Sequence, residues 1–265
     1  MLRSLYAGVT GMRNHQLRMD VVANNIANVN TTAFKAMRAS FQDNLYQTLK
    51  TTSATGVSNV SPLQVGSGMN IASVETVFIQ GALQLTGRSL DLAIQGNGFF
   101  TIKKSLDSDA VYYTREGAFF LNTEGYLVNS QGYYVLDTSG APIQITDQVA
   151  SIQVARDGTI SYIMLDGTVN TLPNKIGITY VQNQESLLRE GQNLFSVSPN
   201  TATPSLGEAG TEGRGTIEAG FLEMSNVDLS LEFTNMIVTQ RGYQANARVI
   251  TTSDEMLREL IDLKR

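Results

Sequence analysis

The stretch SNVDLSLEFTNMIVTQRGYQANARVITTSDEMLRELIDLKR, residues 225–265, predicts one long amphipathic helix at the end of the chain. Its side chains recur every seven residues in two mostly apolar series, which is typical of the a and d positions of a coiled-coil seam. The series are Leu229, Met236, Tyr243, Ile250 and Leu257, and, three or four positions out of phase, Phe233, Gln240, Ala247, Asp254 and Ile261. Ser225 or Asn226 can cap the helix start. A helix from Val227 to Leu263 would be about 55 Å long, and its seam needs a partner.

The N-terminal residues 1–30 carry a second seam of the same kind. Its two series are Leu5, Met12, Met19 and Ile26, and Leu2, Val9, Gln16 and Ala23. The helix is expected to end near residues 28–30, where Asn side chains compete for backbone hydrogen bonds and favour turns. In each seam a Gln precedes an Ala by seven residues, and a polar seam residue can fix register. We therefore expect the terminal helices to pair as a coiled coil.

The middle of the chain changes from a polar segment to β-type sequence. Residues 31–69 are rich in Ser, Thr and Gly from 51 onward and predict an extended linker. Residues 70–224 contain short runs of alternating or apolar residues bounded by Gly or Asn, which predict eight or more strands. Asp157–Gly158 and Asp166–Gly167 stand between such runs and predict hairpins.

The predicted fold is mainly β with long α-helical termini and a central antiparallel β domain inserted between them. It has three parts: residues 1–30 with 225–265 as a terminal-helix domain and polymerisation core, 31–69 as a linker, and 70–224 as the β domain. A two-helix pair is marginal alone, because each buried Leu or Met contributes about 1.5–3 kcal/mol against about 1–2 kcal/mol of backbone entropy per ordered residue. Packing against neighbouring copies would stabilise the pair, and repeated head-to-tail contacts build helical filaments.

Composition excludes several classes of partner. The 265 residues include 42% hydrophobic and only 16% charged residues, with a formal charge of −5. An acidic chain with scattered Lys and Arg is a poor partner for nucleic acid or for anionic membranes. There is no Cys, so no disulfide or thiolate metal site is expected. No apolar run is long enough to span a membrane, and the N-terminus lacks a cleavable secretory signal.

No catalytic, cofactor or metal site is predicted. His15 is the single histidine and is interpreted as structural, since one His cannot form a usual zinc site without Cys or nearby carboxylates. Gly96-Asn97-Gly98 lacks the third small residue and the following helix of a dinucleotide loop, and is interpreted as a β-turn. A Ser/His/Asp triad would have to use His15, so we expect no enzyme.

Four motifs in the same order resemble the bacterial flagellar rod and hook protein family. ANNIANVNTTAFK (23–35) is similar to its N-terminal signature, and SNVDL (225–229) with MIVTQRGY (236–243) to its C-terminal one. TGRSLDLAIQGNGFF (86–100) and YTREGAF (113–119) are similar to its central motifs. The positions of the N-terminal signature that we carry over are Asn24, Asn25, Asn28, Asn30, Phe34 and Lys35. Ala33 stands where the family usually has Gly, so a positive φ is not expected there.

The resemblance implies a structural subunit of the flagellar axis that takes part in motility. It implies a helical homopolymer that transmits torque, contacts with other rod, hook and junction proteins, and export by the flagellar type III apparatus without a cleavable signal. It also implies that the terminal helices line a tube. Length and the 51–68 insert resemble the distal-rod protein, and the C-terminal end resembles short hook proteins, so both stay open. The alternative from another class is a secreted adhesive or carbohydrate-binding β module with a helical stalk, suggested by the Tyr-rich region from Tyr112 to Tyr134.

Overall fold

The computed structural model describes residues 2–50, 63–106, 109–145, 149–164, 166–199 and 201–263. In these residues the chain is mainly β, with one long helix at each end, as the sequence predicted. The chain forms two units. The helical unit comprises Met1–Ala27, Met37–Val77 and Asp228–Arg265, and the β unit comprises Asn28–Ala36 and Phe78–Val227.

The helical unit contains both terminal helices. Helix α1 is Leu2–Ala27 and ends where the Asn-rich turn was predicted. Helix α2 is Leu229–Asp262, and its cap is Asp228, whose carboxylate accepts from the backbone N–H groups of Ser230 and Leu231. The predicted cap at Ser225 or Asn226 was therefore wrong. An Asp cap also places a negative charge at the positive end of the helix dipole.

Among the described residues, four strands complete the helical unit. Strands β1 (Met37–Asp43) and β4 (Met69–Thr76) pair antiparallel, with an irregularity between Ser40 and Phe41. Strands β2 (Tyr46–Lys50) and β3 (Leu63–Gly66) form a second antiparallel pair. The described part of the predicted linker 31–69 is thus largely sheet. Residues 51–62, which hold most of its Ser, Thr and Gly, lie outside the described residues.

The β unit consists of short strands. They are β5 (Leu83–Leu85), β6 (Leu92–Gln95), β7 (Phe99–Lys103), β8 (Val111–Thr114), β9 (Phe119–Leu121), β10 (Leu127–Asn129), β11 (Tyr134–Val135), β12 (Val149–Val154), β13 (Thr159–Met164), β14 (Val169–Lys175), β15 (Ile178–Tyr180), β16 (Leu188–Gly191), β17 (Leu194–Ser196), β18 (Ser205–Gly207), β19 (Thr216–Ala219) and β20 (Phe221–Glu223), with a 3₁₀ turn at Gln184–Ser186. The predicted hairpins are confirmed, because Asp157–Gly158 joins β12 to β13 and Asp166–Gly167 joins β13 to β14.

Strand β7 is the centre of the largest described sheet. The sheet follows the order β16-β17-β8-β7-β11-β10-β9, and β15 also pairs with β7 and with β18. Successive strand side chains point to opposite faces, so Phe99 and Phe100 enter two different hydrophobic clusters. Phe100 packs in the larger cluster with residues such as Leu92, Ile94 and Phe119, and Phe99 packs with Tyr113 and Phe195.

Gly117 is fixed by a close backbone approach in this core. Leu92 N–H donates to its carbonyl at 2.9 Å, and a Cβ on Gly117 would lie 1.6 Å from the Leu92 carbonyl oxygen. No rotamer change relieves a contact with backbone. Gly132 is a contrasting position, because a Cβ there meets nothing within 4 Å. Replacing Gly132 by Ala therefore costs only the backbone strain of a non-glycine residue at a φ of +84°.

We expect Gly117→Ala to lower the free energy of unfolding by about 3 kcal/mol or more, because the backbone must separate to admit the methyl group. Gly132→Ala should cost about 1–2 kcal/mol, the strain of a left-handed residue. Urea unfolding followed by circular dichroism measures both. Equal losses would contradict the account of this contact.

Candidate functional site: the terminal helices and the signature segment

Helices α1 and α2 contact each other in antiparallel orientation. Residues early in α1 meet residues late in α2: Ser4 Oγ lies 3.4 Å from Ser253 Oγ. Near the other end, Asn25 Nδ2 donates to Glu232 Oε1 at 3.0 Å. Between these pairs, Arg18 Nη2 donates to Asn235 Oδ1 at 3.4 Å.

Small residues allow the close approach of the two helices. A Cβ on Gly11 would lie 2.7 Å from Asn246 Cγ, and one on Gly242 would lie 2.7 Å from His15 Cε1. A Cβ on Gly8 would meet Ile250 at 3.1 Å. A side chain at Gly11 or Gly242 would collide with Asn246 or His15, and one at Gly8 would be tight against Ile250, so each glycine makes room for a side chain of the partner helix.

These contacts define what we call the contact face. It consists of Ser4, Gly8, Gly11, His15, Arg18 and Asn25 on α1, and Glu232, Asn235, Gly242, Asn246, Ile250 and Ser253 on α2. We add Val22 and Thr239, which are buried and continue the same heptad spacing. On α1 its positions alternate by four and three residues, which is a heptad spacing. It is built mainly of small and polar residues instead of large apolar ones.

The predicted seam residues lie beside the contact face. On α1 every seam position from Leu5 to Ile26 follows a contact position by one residue, about 100° around the helix. The half-buried seam residues are Leu5, Met12, Met19, Ile26, Met236, Ala247, Ile250 and Leu257. The exposed ones are Val9, Gln16, Ala23, Leu229, Phe233, Gln240, Tyr243 and Ile261, with Asp254. Leu2 begins α1, and its side chain is outside the described set.

The intrachain contact therefore lies one residue before the predicted seam, and Ile250 belongs to both. The physical reason is the position of the glycines, because each one makes room for a side chain of the other helix: Gly8 for Ile250, Gly11 for Asn246 and Gly242 for His15. The repeat of Glu232, Thr239, Asn246 and Ser253 was present in the sequence as a signal. It was missed because the heptad prediction rested on apolar residues, and these four residues are polar.

Asn25 is the hydrogen-bonding centre of the helical unit. Its side chain is fully buried, accepts from Met37 N–H at 2.9 Å and donates to Met37 C=O at 2.8 Å and to Glu232. One signature residue thus joins α1 to β1 and to α2. Glu232 itself is buried, and its Oε2 has no partner in the part of the chain that the structure describes.

The remaining signature residues belong to the β unit, apart from exposed Asn24 on α1. Asn28 Oδ1 accepts from Thr31 Oγ1 at 3.1 Å, and Asn30 is exposed. Phe34 is buried, and the Arg189 guanidinium lies 4.9 Å above its ring.

Ala33 adopts the left-handed conformation that was not expected for it. Its φ is +58° and its side chain is buried. Ala33 N–H donates to Glu223 C=O at 2.8 Å, and this bond holds the turn. The prediction was wrong because it weighed only the local cost of roughly 1–2 kcal/mol for a non-glycine residue in this region, whereas burial of Ala33 and its tertiary hydrogen bond both favour the turn.

Lys35 forms a fully buried ionic cluster with Glu223 and Arg115. Lys35 Nζ donates to Glu223 Oε1 at 2.6 Å and to Ile79 C=O at 2.9 Å. Arg115 Nη1 lies 3.4 Å from Glu223 Oε2, and its Nη2 donates to Gly96 C=O. Burial lowers the pKa of Lys35, and the nearby Glu223 carboxylate opposes that shift. The cluster joins segments that are distant in the sequence, so it fixes the signature segment in the β unit.

Sequence reasoning missed Glu223 and Arg115 as partners of Lys35. Arg115 lies within the quoted motif YTREGAF, and Glu223 is a charged residue in the otherwise apolar strand β20. A charge in a buried strand requires a buried partner, which was the available signal.

The tyrosines that suggested a glycan-binding surface are engaged with neighbours. Lys104 Nζ lies 4.3 Å from the ring centroid of Tyr112 and 5.8 Å from that of Tyr133. Tyr126 packs edge-to-face with Tyr134. Across the described ranges no group of three His, Asp or Glu side chains is arranged to hold a metal ion, and no helix is long and apolar enough to cross a membrane.

We expect Asn25→Ala to lower the free energy of unfolding by about 3 kcal/mol. It leaves Glu232 Oε1 and the Met37 backbone groups buried without these bonds, at about 1–3 kcal/mol for each unsatisfied group. Exposed Gln16 on the same helix is the matched control, and Gln16→Ala should change stability by less than about 0.5 kcal/mol. Chemical denaturation distinguishes them. Equal effects would show that Asn25 does not join these elements.

We expect Glu223→Gln to cost about 3–5 kcal/mol, because it leaves two buried cations without their anion. The control is the exposed pair of Arg258 and Asp254, 3.0 Å apart, where Asp254→Asn should cost at most about 0.5 kcal/mol. Thermal and urea unfolding measure both variants. A loss for Glu223→Gln as small as that of the control would refute the buried cluster.

Comparison with known proteins identifies the family. Residues 5–35 match the family model described as "Flagella basal body rod protein". Residues 93–162 match the "Flagellar hook protein FlgE/F/G D1 domain", and residues 218–263 match "Flagellar basal body rod FlgEFG protein C-terminal". The three matches coincide with the terminal helices and with the centre of the β unit.

Full-length relatives agree with these matches. The flagellar basal-body rod protein FlgG of Bacillus subtilis is 44% identical over 268 positions, covering 100% of both chains. FlgG of Borreliella burgdorferi is 38% identical over 270 positions with the same coverage. The flagellar hook protein FlgE of Borreliella burgdorferi is 29% identical over 446 positions. The chain therefore belongs to the bacterial flagellar rod and hook protein family and is a structural subunit of the flagellar axis.

Proposed function

We propose that this chain is a distal-rod subunit that polymerises into a helical tube through its paired terminal helices. The observation that carries the proposal is the exposed apolar surface of α2. Its exposed large apolar side chains are Leu229, Leu231, Phe233, Ile237, Val238, Tyr243, Val249, Met256, Leu260 and Ile261, and its C-cap Leu263 is exposed too. A helix with so much apolar surface in water gains about 25 cal/mol per Å² when neighbours cover it.

The contact face and the apolar seam of the two helices have different roles in this proposal. The contact face pairs α1 with α2 inside one chain as an antiparallel coiled coil with a core of small and polar residues. The displaced apolar seam then faces neighbouring copies, so the seam residues act in assembly. The polymerisation core is residues 1–30 with 225–265. The supporting observation is that Phe233 and Ile261 are 50% and 64% exposed while the contact-face residues Thr239 and Ser253 are buried.

The proposal favours the rod over the hook on length. The FlgG relatives from Bacillus subtilis and Borreliella burgdorferi align over 268 and 270 positions, close to the 265 residues of this chain. The hook relative needs 446 positions for the same chain. Other rod, hook and junction proteins would contact the ends of the polymer, and the flagellar export apparatus would deliver the subunit.

Replacing Phe233 and Ile261 by serine tests whether the apolar seam drives polymerisation. We expect the double variant Phe233→Ser/Ile261→Ser to raise the concentration needed for polymerisation at least about 100-fold, since two buried side chains contribute about 1.5–3 kcal/mol each. The monomer fold should persist, because both side chains are exposed in it. Sedimentation measures the polymer, and circular dichroism the fold.

The control for this test is Glu255→Gln, at another exposed position of the same helix. It should polymerise like the unaltered chain. Unchanged polymerisation of the double variant would contradict the role of the apolar seam.

The place of the chain in the flagellum is tested by electron microscopy of basal bodies from a deletion strain. We expect truncated rods and loss of motility, both restored by the gene. Complete rods that lack hooks would instead identify a hook protein and overturn the assignment to the rod.

A further inference from the structure

His15 lies where three elements of the helical unit meet. It projects from α1, and its ring lies directly over Gly242 of α2, where an added Cβ would be 2.7 Å from Cε1 and 2.8 Å from Nε2. Phe41 of β1 approaches the ring edge-on, with centroids 5.8 Å apart. The imidazole therefore fills the space that the missing side chain of Gly242 leaves.

The surroundings of His15 suit a neutral ring. Its Nδ1 is buried and has no hydrogen-bond partner among the described residues. A neutral imidazole can leave one nitrogen as an unused acceptor, whereas the protonated ring carries N–H on both nitrogens. Protonation would therefore bury a charged donor that has no acceptor.

The charged neighbours do not compensate such a charge. Arg18 is one turn further along α1 and adds a second cation. From α2, the ring meets Gly242, and from β1 it meets the phenyl ring of Phe41.

The other charged residues near this place have exposed side chains or their own partners. Arg13, Asp20, Arg241 and Asp43 are exposed. On α2, Glu232 accepts a hydrogen bond from Asn25. On the neighbouring strands, Arg38 of β1 forms an ion pair with Glu75 of β4.

We propose that His15 makes the contact between α1 and α2 acid-labile, so that its protonation loosens the helix pair. The inference goes beyond the proposed function and does not depend on it, because it concerns the fold of the single chain. Any assembly that uses the paired helices would inherit the same sensitivity to acid.

The lowered pKa of His15 determines how the stability of the folded chain changes with pH. Burial, and then the nearby Arg18, hold the pKa of His15 below its ordinary value of about 6.5. In the window between the folded and unfolded pKa values the unfolded chain binds more protons, so stability rises with pH there. Stability is fully present above about pH 6.5 and is lost as the pH falls through this window toward the folded pKa.

The absence of any other histidine makes a direct test simple. In the full chain the single His15 gives one imidazole Cε1–H signal in a proton NMR titration, with no variant needed. We expect its midpoint in the folded chain to lie below the midpoint measured in concentrated urea. A folded midpoint equal to or above the unfolded one would overturn the proposal.

A second measurement links the titration to the helix contact. Between about pH 7.5 and pH 5, the urea midpoint of the unaltered chain should fall further than that of His15→Gln, which cannot titrate in this range. Arg18→Gln should raise the NMR midpoint of His15, because it removes the neighbouring cation. The same loss of stability in the unaltered chain and in His15→Gln would overturn the proposal.

Discussion

The packing of side chains of one helix against glycines of the other, between α1 and α2, is the constraint on which the helical unit depends. Gly8 and Gly11 face Ile250 and Asn246, and Gly242 faces His15. Each glycine leaves space that a side chain of the other helix fills. The two helices thereby contact each other mainly through small and polar residues, and large apolar side chains such as Phe233 and Ile261 stay exposed.

This division explains why a structural subunit carries so much exposed apolar surface. Monomeric soluble proteins rarely expose large contiguous apolar patches, and such patches mark interaction sites. An internal contact made mainly of small and polar residues leaves seam residues such as Phe233 and Ile261 exposed. The buried hydrogen bond between Asn25 and Glu232 joins the two helices within this contact. In the β unit, the signature residue Lys35 forms a buried ion pair with Glu223, which holds the segment after α1 to strand β20.

Periodic patterns and turn chemistry were readable in the sequence. The heptads of both termini predicted the helices, and Asp157–Gly158 and Asp166–Gly167 predicted hairpins, because these signals are local. The face of the helix contact was not readable in the same way. Heptad spacing gives the period of the contact. Which of two series one residue apart forms the contact depends on where the glycines of each helix meet side chains of the other helix.

Long-range polar contacts were equally hard to predict. The left-handed Ala33 depends on the Glu223 carbonyl, and the buried Lys35 depends on Glu223 and Arg115, far away in the chain. β1, in the predicted linker, pairs with β4, which begins where that linker was predicted to end, so the extended segment becomes sheet through a partner that a local pattern does not reveal.

Disulfide cross-linking tests the central claim, that the contact face joins the two helices of one chain, most directly. The chain has no Cys, and the hydroxyls of Ser4 and Ser253 lie 3.4 Å apart, so Ser4→Cys/Ser253→Cys reports on this contact alone. After oxidation of the assembled protein, we predict a single chain closed by its own disulfide, seen as a faster-migrating monomer on non-reducing gels. Disulfide-linked dimers and ladders, with no closed monomer, would contradict the account.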